Sequence, residues 1–395
     1  MSALHDGPLP YAAASTPPRF AGEGGGIARP VRRLEMESVT HAFRGAAYRH
    51  LGGELVAVDN VSLALTSDPP RIVTLVGESG SGKSTVARIL LGLLKPASGR
   101  VTFDGDDVYA LPAKGRSAFR RAVQAVFQDP YGIFNPFYRA DRVLWKAIER
   151  FGIAGTRPEA VAAIERSLAA VQLKSIDVLG RYPHQLSGGQ RQRVMLARVH
   201  LLQPAFIVAD EPVSMLDAAV RVLFLNILLD FRQQYGMSTL FITHDLSNAF
   251  YVGGQVIVMS RGRIVERGDA DDVMLRPAHP YTQLLLASLP SPDPDVRWTD
   301  RMTDTEQTSA LADPGRTRCL FAERCAHVME RCWHEVPPAY PLVSEPTATA
   351  ASVVANGKPA ARADVPADEG HAVACFLYDP ASSSAGTRVA APITR

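Results

Sequence analysis

The sequence lacks three features that would assign it to a specialised class of protein. It has no large excess of one charge, since 42 Lys and Arg face 40 Asp and Glu, and a surface that binds nucleic acid would need a concentrated basic face. No stretch approaches the roughly 18 consecutive apolar residues of a membrane-spanning helix. The N-terminal MSALHDGPLP has neither the basic start nor the apolar centre of a secretory signal. We therefore expect a cytosolic protein that meets a membrane only through a partner.

Cysteine is also scarce, and all of it lies in the last fifth of the chain, at Cys319, Cys325, Cys332 and Cys375. Disulfides are disfavoured in the cytosol, so a metal, a cluster or inert burial remain. The Cys-x5-Cys-x6-Cys spacing and the distant fourth cysteine differ from the close pairs of zinc ribbons. Four thiolates at irregular spacing suit either a 4Fe–4S cluster or zinc. Four reduced thiols without a ligand are the third alternative.

The organisation of the chain predicts an α/β protein with additions at both ends. Residues 1–33 are rich in Gly, Pro and Ala, which is typical of a disordered arm, and 345–370 is an Ala/Pro-rich loop. Apolar alternation over 34–65 predicts antiparallel strands. The apolar runs IVTLVG, FIVAD and TLFIT predict buried strands, and a helical stretch at 218–235 between the last two makes the sheet mostly parallel. Helical patterns over 129–185 predict a helical insertion.

The stretch GESGSGKS at 77–84 fits G-x-x-x-x-G-K-[ST] between a strand and a helix, the context that gives this motif its meaning. Glycines let the backbone curl so that several N–H groups point at one anion. The helix that follows adds its positive end. Lys83 supplies a charge to the β- and γ-phosphates, and the Ser84 hydroxyl is a hard ligand for Mg²⁺. The residues expected around the phosphates are Gly77, Glu78, Ser79, Gly80, Ser81, Gly82, Lys83, Ser84 and Thr85.

Two adjacent acids end the apolar run FIVADE at 206–211. We expect Asp210 to hold Mg²⁺ through water and Glu211 to orient or deprotonate the attacking water. Seen alone, the pair would more readily be a solvated strand end. The phosphate-loop motif upstream favours the catalytic interpretation.

The pentapeptide LSGGQ at 186–190, followed by RQRVMLAR, resembles ATP-binding cassette (ABC) ATPases, and the resemblance covers residues 34–289. It implies a P-loop NTPase (RecA-like) fold with an antiparallel N-terminal β subdomain, a helical subdomain at about 129–200 and a C-terminal extension at 290–395. In this family two cassettes face head to tail, and the signature of one reaches the γ-phosphate bound by the other. The signature residues are Ser187, Gly188, Gly189 and Gln190. One cassette per chain therefore implies a dimer, with itself or with a sister subunit.

The same resemblance implies further site residues. Gln128 would contact Mg²⁺ and the attacking water, and His244 in the ITHD segment would contact the γ-phosphate, with Lys83 and Glu211 completing the catalytic set. Asp217 in SMLD would lie at the dimer seam. An aromatic from the N-terminal strands would stack on adenine; Phe43 is the first choice and Tyr48 the second.

Within the family, the chain is most similar to the ATP-binding subunits of oligopeptide and dipeptide importers. The similar segments are GESGSGKST, FQDPYG, HPYTQLLLASLP, CLFAERCAHVMERC and the late HAVAC. This resemblance implies two membrane permease subunits, an extracytoplasmic solute-binding protein and a place on the cytoplasmic face of the membrane. It also implies a 4Fe–4S cluster at the cysteines. Two alternatives remain: the same machine importing oligosaccharides or another small solute, and a soluble ABC ATPase outside transport.

Overall fold

Two β-sheets and the helices around them frame the protein in the computed structural model, which describes residues 30–45, 53–129, 132, 134–288, 316–342 and 370–382. The described strands are β1 (Arg33–Arg44), β2 (Glu54–Thr66), β3 (Ile72–Val76), β4 (Ser98–Phe103), β5 (Asp106–Asp107), β6 (Val123–Val126), β7 (Phe206–Asp210), β8 (Ser238–Thr243), β9 (Gln255–Ser260), β10 (Arg263–Asp269), β11 (Tyr340–Pro341) and β12 (Ala372–Val373). The described helices are α1 (Lys83–Leu90), α2 (Ala113–Ala122), α3 (Arg142–Phe151), α4 (Arg157–Ala170), α5 (Ser175–Val178), α6 (Gly188–Leu202), α7 (Ala218–Tyr235), α8 (Leu246–Val252), α9 (Ala270–Leu275) and α10 (Pro280–Ala287).

The larger sheet positions the functional residues. Its order over the described strands is β11-β12-β10-β9-β3-β8-β7-β6, and the five from β9 to β6 run parallel. All five residues of β3 are buried, as a parallel strand covered on both faces requires. One face packs on α1 and the smaller sheet, the other on α6 and α7. The predicted α/β fold with a mostly parallel sheet is confirmed.

The smaller sheet is antiparallel, with the order β2-β1-β4-β5. Alternate residues of β1 are buried, beginning with Leu34 and Met36, because successive side chains of a strand point to opposite faces. The predicted antiparallel pair is confirmed by the register of β1 against β2. Most of the connection between β1 and β2, the N-terminal arm up to residue 29 and nearly all of the Ala/Pro-rich loop lie outside the described residues.

The region between β6 and β7 is helical. Thr156 opens α4 with a capping box, in which its hydroxyl accepts from the N–H of Glu159 and the Glu159 carboxylate accepts from the N–H of Thr156. Helices α3 and α4 bury apolar residues such as Leu144 and Ile164 against α6. The helices thus form one packed group whose last member, α6, also lies on the central sheet.

Residues after 316 add two short strands to the central sheet, which the sequence did not predict. β12 pairs antiparallel with β10, and β11 pairs with β12. Buried Glu266 of β10 accepts the backbone N–H groups of Ala278 and His279 at 2.8 and 2.9 Å, and Nε2 of His371 lies 2.9 Å from its carboxylate. The C-terminal extension is therefore built into the sheet. Within the residues that the structure describes, no helix combines the length and apolar character that crossing a bilayer requires.

Candidate active site

The phosphate loop runs from the end of β3 to the start of α1, and two of its glycines are required by close backbone approaches. A Cβ at position 77 would lie 2.1 Å from the carbonyl oxygen of Met259, and one at position 82 would lie 2.1 Å from that of Ala57. Gly82 also has a φ of 104°, which other residues rarely adopt. Gly77 and Gly82 therefore allow the close backbone packing that shapes the loop before α1, whose first N–H groups are the ones that a helix leaves without intrahelical partners.

Lys83 places its charge inside this loop. Its side chain is only 4% exposed, and Nζ donates to the carbonyl oxygens of Gly77 and Glu78 at 2.7 and 2.8 Å. Burial lowers the pKa of Lys83, while the carboxylates of Glu211, Asp210 and Glu78 act in the opposite direction. The ammonium thus lies among loop carbonyls and acidic side chains, where an anion such as phosphate can meet it.

Ser84 and Asp210 meet across the cleft between α1 and β7. The Ser84 hydroxyl donates to Oδ1 of Asp210 at 3.1 Å. Burial raises the pKa of Asp210, and the hydrogen bond from Ser84 opposes that rise. A hydroxyl and a carboxylate at this spacing are ligand types that Mg²⁺ prefers. Two of the three residues predicted for the metal, Ser84 and Asp210, therefore lie side by side.

Glu211 and His244 form the next pair along the carboxyl edge of the sheet. Nδ1 of His244 lies 3.0 Å from the Glu211 carboxylate. Glu211 has a φ of 46°, a conformation that costs energy outside glycine, and its N–H donates to the carbonyl of Ile242 at 2.9 Å. Strain held in this way is common where a side chain must point into a site.

Gln128 follows β6 by two residues and is exposed. The neighbouring segment is held by Gln192, which the sequence analysis did not single out. Buried Gln192 donates from Nε2 to the carbonyl oxygens of Phe127 at 3.1 Å and Pro212 at 3.0 Å. It joins the segment after β6 to the segment after β7. The sequence feature that could have identified Gln192 is its place as the second Gln of GGQRQR.

The signature residues lie at the start of α6. Ser187 caps this helix, and it exchanges hydrogen bonds with Gln190 at 2.9 and 3.2 Å. Both partners of these bonds belong to α6 and its cap, and Ser187 itself is exposed. Gly189 packs on Val220, whose Cγ1 would lie 2.6 Å from an added Cβ, and Asp217 caps α7 by accepting from the N–H of Val220. The start of α6 and the start of α7 are thus neighbours, and they bring Gly189 of the signature close to the helix that Asp217 caps.

Phe43, the first choice for adenine stacking, is half-buried on β1. Its ring packs edge to face against His41 with the centroids 4.9 Å apart. Tyr48, the second choice, lies outside the described residues. The choice between them stays a prediction.

The four cysteines come together although Cys375 is distant in sequence. All four line one cavity, together with apolar residues such as Phe321 and Phe376. Burial raises the pKa of Cys319 and Cys325, and it raises that of Cys375 to about 12. Among the described residues, no group of three or more Cys, His, Asp or Glu side chains is arranged to hold a metal ion. The donor set is four thiols around one cavity. His327 lines the same cavity, whereas His334 pairs with Glu330 on the surface.

Comparisons with known proteins agree with this geometry. A model of the ABC transporter family matches residues 58–214, and a model of the oligopeptide/dipeptide transporter C-terminal region matches residues 265–332. A putative peptide import ATP-binding protein of Brucella ovis is 41% identical over 296 residues, which cover 74% of this chain and 92% of that protein. A putative oligopeptide transport ATP-binding protein of Bacillus subtilis is 37% identical, covering 71% and 84%. A solved ATP-binding cassette, a dimer in a post-hydrolysis state bound to ADP and Pi, is 27% identical with a TM-score of 0.53, covering 60% and 98%.

Proposed function

Because this chain belongs to the family of ABC transporter ATPases, we propose that it is the ATP-hydrolysing subunit of an importer for oligopeptides or dipeptides. The observation that carries the hydrolytic part is the meeting of Lys83, Ser84–Asp210 and Glu211–His244 at one edge of the sheet. The peptide part is supported by the C-terminal region that the chain has in common with oligopeptide and dipeptide transporters. Relatives named for peptide import support it as well.

The site residues divide the work of ATP hydrolysis. The loop N–H groups and Lys83 bind the β- and γ-phosphates. Ser84, Asp210 and Gln128 hold Mg²⁺, which when bound neutralises charge on the phosphates. Glu211 accepts the proton of the attacking water. His244, 3.0 Å from that carboxylate, orients it and contacts the γ-phosphate.

A second cassette completes each site. Ser187 and Gly188 are at the start of a long helix, where a hydroxyl and free N–H groups can bind an anion. In the described part of the chain the side-chain hydrogen bonds of Ser187 lie within α6 and its cap, which supports a role at the γ-phosphate of the facing subunit, with Asp217 at the seam. The dimeric form of the similar cassette bound to ADP and Pi supports this arrangement.

The subunit acts from the cytoplasmic face of the membrane on two permease subunits, which receive solute from an extracytoplasmic binding protein. ATP binding closes the dimer and release of products reopens it, so the two states drive the permease between outward- and inward-facing forms. The solute does not touch this chain. Oligosaccharide import by the same machine is the main alternative, and a soluble role outside transport is the weaker one.

Uptake measurements test the proposed substrate class. Deleting the gene for this chain should abolish uptake of a labelled tripeptide, and expressing the intact chain should restore it. A chain with Lys83→Ala should not restore uptake, because the phosphate site has lost its buried cation. Loss of maltooligosaccharide uptake with normal tripeptide uptake would replace peptides by oligosaccharides. Normal uptake of both would favour the non-transport role.

We also propose that the four cysteines hold a 4Fe–4S cluster. Such a cluster takes one thiolate per iron, so its ligands stand farther apart than those of a single ion. The gathering of four thiols around one cavity supports it. When bound, the cluster would supply positive charge that holds the cysteines as thiolates. It would also link the segments of the small extension and stabilise them.

Iron analysis tests the cluster. Protein purified without oxygen should contain iron and acid-labile sulfide, and Cys375→Ser should remove most of both because a ligand is lost. His334→Ala is the control, since this imidazole pairs with Glu330 on the surface, and the iron content should stay unchanged. A colourless preparation with one zinc per chain, or with no metal, would refute the cluster.

A further inference from the structure

Glu78 of the phosphate loop is held by a residue of the C-terminal extension and by one of the last cassette helix. The guanidinium of Arg324 lies 3.3–3.4 Å from the Glu78 carboxylate through three N–O contacts. The backbone N–H of Glu78 donates to the hydroxyl of Tyr281 at 2.9 Å. Arg324 belongs to the C-terminal extension and Tyr281 to α10. The side chain of this loop residue is therefore fixed by the C-terminal extension, and its backbone by the last helix of the cassette.

Phe321 joins these two contacts into one unit. Its ring lies edge to face with Tyr281 at 5.6 Å between centroids, and Cζ of Arg324 lies 5.7 Å from the Phe321 centroid. Phe321 and Tyr281 are 6% and 1% exposed. A buried aromatic pair of this kind has a defined geometry, so Arg324 projects from a rigid base.

A second route leads from the extension to the same loop. The guanidinium of Arg316 is 2.9 Å from Asp59 and 3.0 Å from the carbonyl of Val56. Arg261 donates to the carbonyl of Leu320 at 2.7 Å, and its neighbour Gly262 donates to the carbonyl of Ser81 in the phosphate loop at 2.9 Å. The extension therefore contacts the surroundings of the loop on two sides.

The charge of Glu78 explains why this support matters for ATP. Glu78 is an acid at the rim of an anion site, and its carboxylate is close enough to affect Lys83. A free carboxylate there would repel the phosphates, and its motion would carry the loop with it. The guanidinium of Arg324 cancels the charge and fixes the side chain. Both groups are partly exposed, at 24% and 42%, so water and salt limit the effect.

We propose that Arg324 is a positioning residue for ATP binding. Through Glu78 it holds the phosphate loop in its binding geometry, and it makes the C-terminal extension a working part of the nucleotide site. The proposal rests on the ATPase activity alone and is independent of the transported solute. It separates affinity from turnover, because Arg324 contacts the loop and none of the residues assigned to the attacking water.

Substitution of Arg324 tests the proposal on the full-length chain. Arg324→Ala should raise the Kd and the KM for ATP about three- to fivefold while kcat changes less than about twofold. Arg324→Lys should recover part of the affinity for ATP, since lysine restores the positive charge but cannot contact the carboxylate through two nitrogens of one planar group. Calorimetry with ATP and Mg²⁺, together with steady-state kinetics, gives these quantities.

Two comparisons distinguish positioning from simple support of the fold. Arg318→Ala removes a tail arginine of nearly equal exposure that pairs with Glu323, and it should leave the Kd unchanged. In a Glu78→Gln background, Arg324→Ala should have no further effect, because its partner charge is gone. Wild-type affinity in Arg324→Ala, equal weakening by Arg318→Ala, or an undiminished effect in the Glu78→Gln background would each overturn the proposal. A wild-type chain that binds no ATP would instead refute the proposed ATP-hydrolysing function.

Discussion

Replacing Glu211 with glutamine should lower ATP turnover at least about 100-fold, the lower end of what a general base contributes, and leave ATP binding intact. Glutamine keeps the size of the side chain and can still hydrogen-bond His244, whose Nδ1 lies 3.0 Å from the carboxylate in the unaltered chain. It cannot accept a proton from water. Lys83, Ser84 and Asp210 are unchanged, so the phosphates and Mg²⁺ keep their ligands.

Steady-state phosphate release and ATP titration check this prediction. Asp230→Asn provides a control, because this acid lies on α7 and hydrogen-bonds Gln234, and turnover should be close to that of the unaltered chain. Normal turnover in Glu211→Gln would assign the base to another residue.

The Glu211→Gln variant saturated with ATP should also pair with a second cassette in gel filtration. Hydrolysis normally opens the closed dimer, and this variant cannot hydrolyse ATP.

Two inactive chains should restore activity when mixed, if the active dimer contains two copies of this chain. Lys83→Ala removes the cation that binds phosphate, and Gly188→Asp places a negative charge where the facing γ-phosphate is expected. Aspartate is favourable in the first turn of a helix, so α6 should still form. Because the two sites of a symmetric dimer are equivalent, random mixing should return about a quarter of wild-type activity.

A doubly substituted chain is the matched control for this mixture. Carrying both Lys83→Ala and Gly188→Asp, it should contribute no activity when mixed with wild type, because each mixed dimer then has two broken sites. An active wild-type chain whose two single variants never complement would contradict a site made by two subunits. If the wild-type chain becomes active only on addition of a sister subunit, the active form is a heterodimer. The loop substitution can then be made in one subunit and the signature substitution in the other.

The sequence predicted the parts of the site that lie in contiguous segments. Asp210 ends a buried strand, Lys83, Glu211 and His244 each follow one, and parallel strands bring their carboxyl ends to one edge. The capping of α6 by Ser187 could also be read from a hydroxyl followed by Gln190. The structure of such motifs can be predicted because each of them lies within one short segment of the chain.

What the sequence did not predict depends on contacts between distant segments. Gln192 joins two loops through backbone carbonyls. Every residue has a backbone carbonyl, so the sequence does not identify such partners. Arg324 and Glu78 are an ordinary pair of charges until the fold places them together. β11 and β12 contain two residues each, too few for a periodic pattern to show.

Strand β12 covers the outer side of β10, and this determines how short the protein can be made. A fragment ending near Ala287 would lose the pairing of β12 with Glu266 and Arg267 on the outer edge of β10, and an open edge invites pairing with another copy. It would also leave the buried Glu266 carboxylate without the imidazole of His371. Such a fragment would self-associate and aggregate, so the smallest well-behaved unit of this ATPase includes its tail.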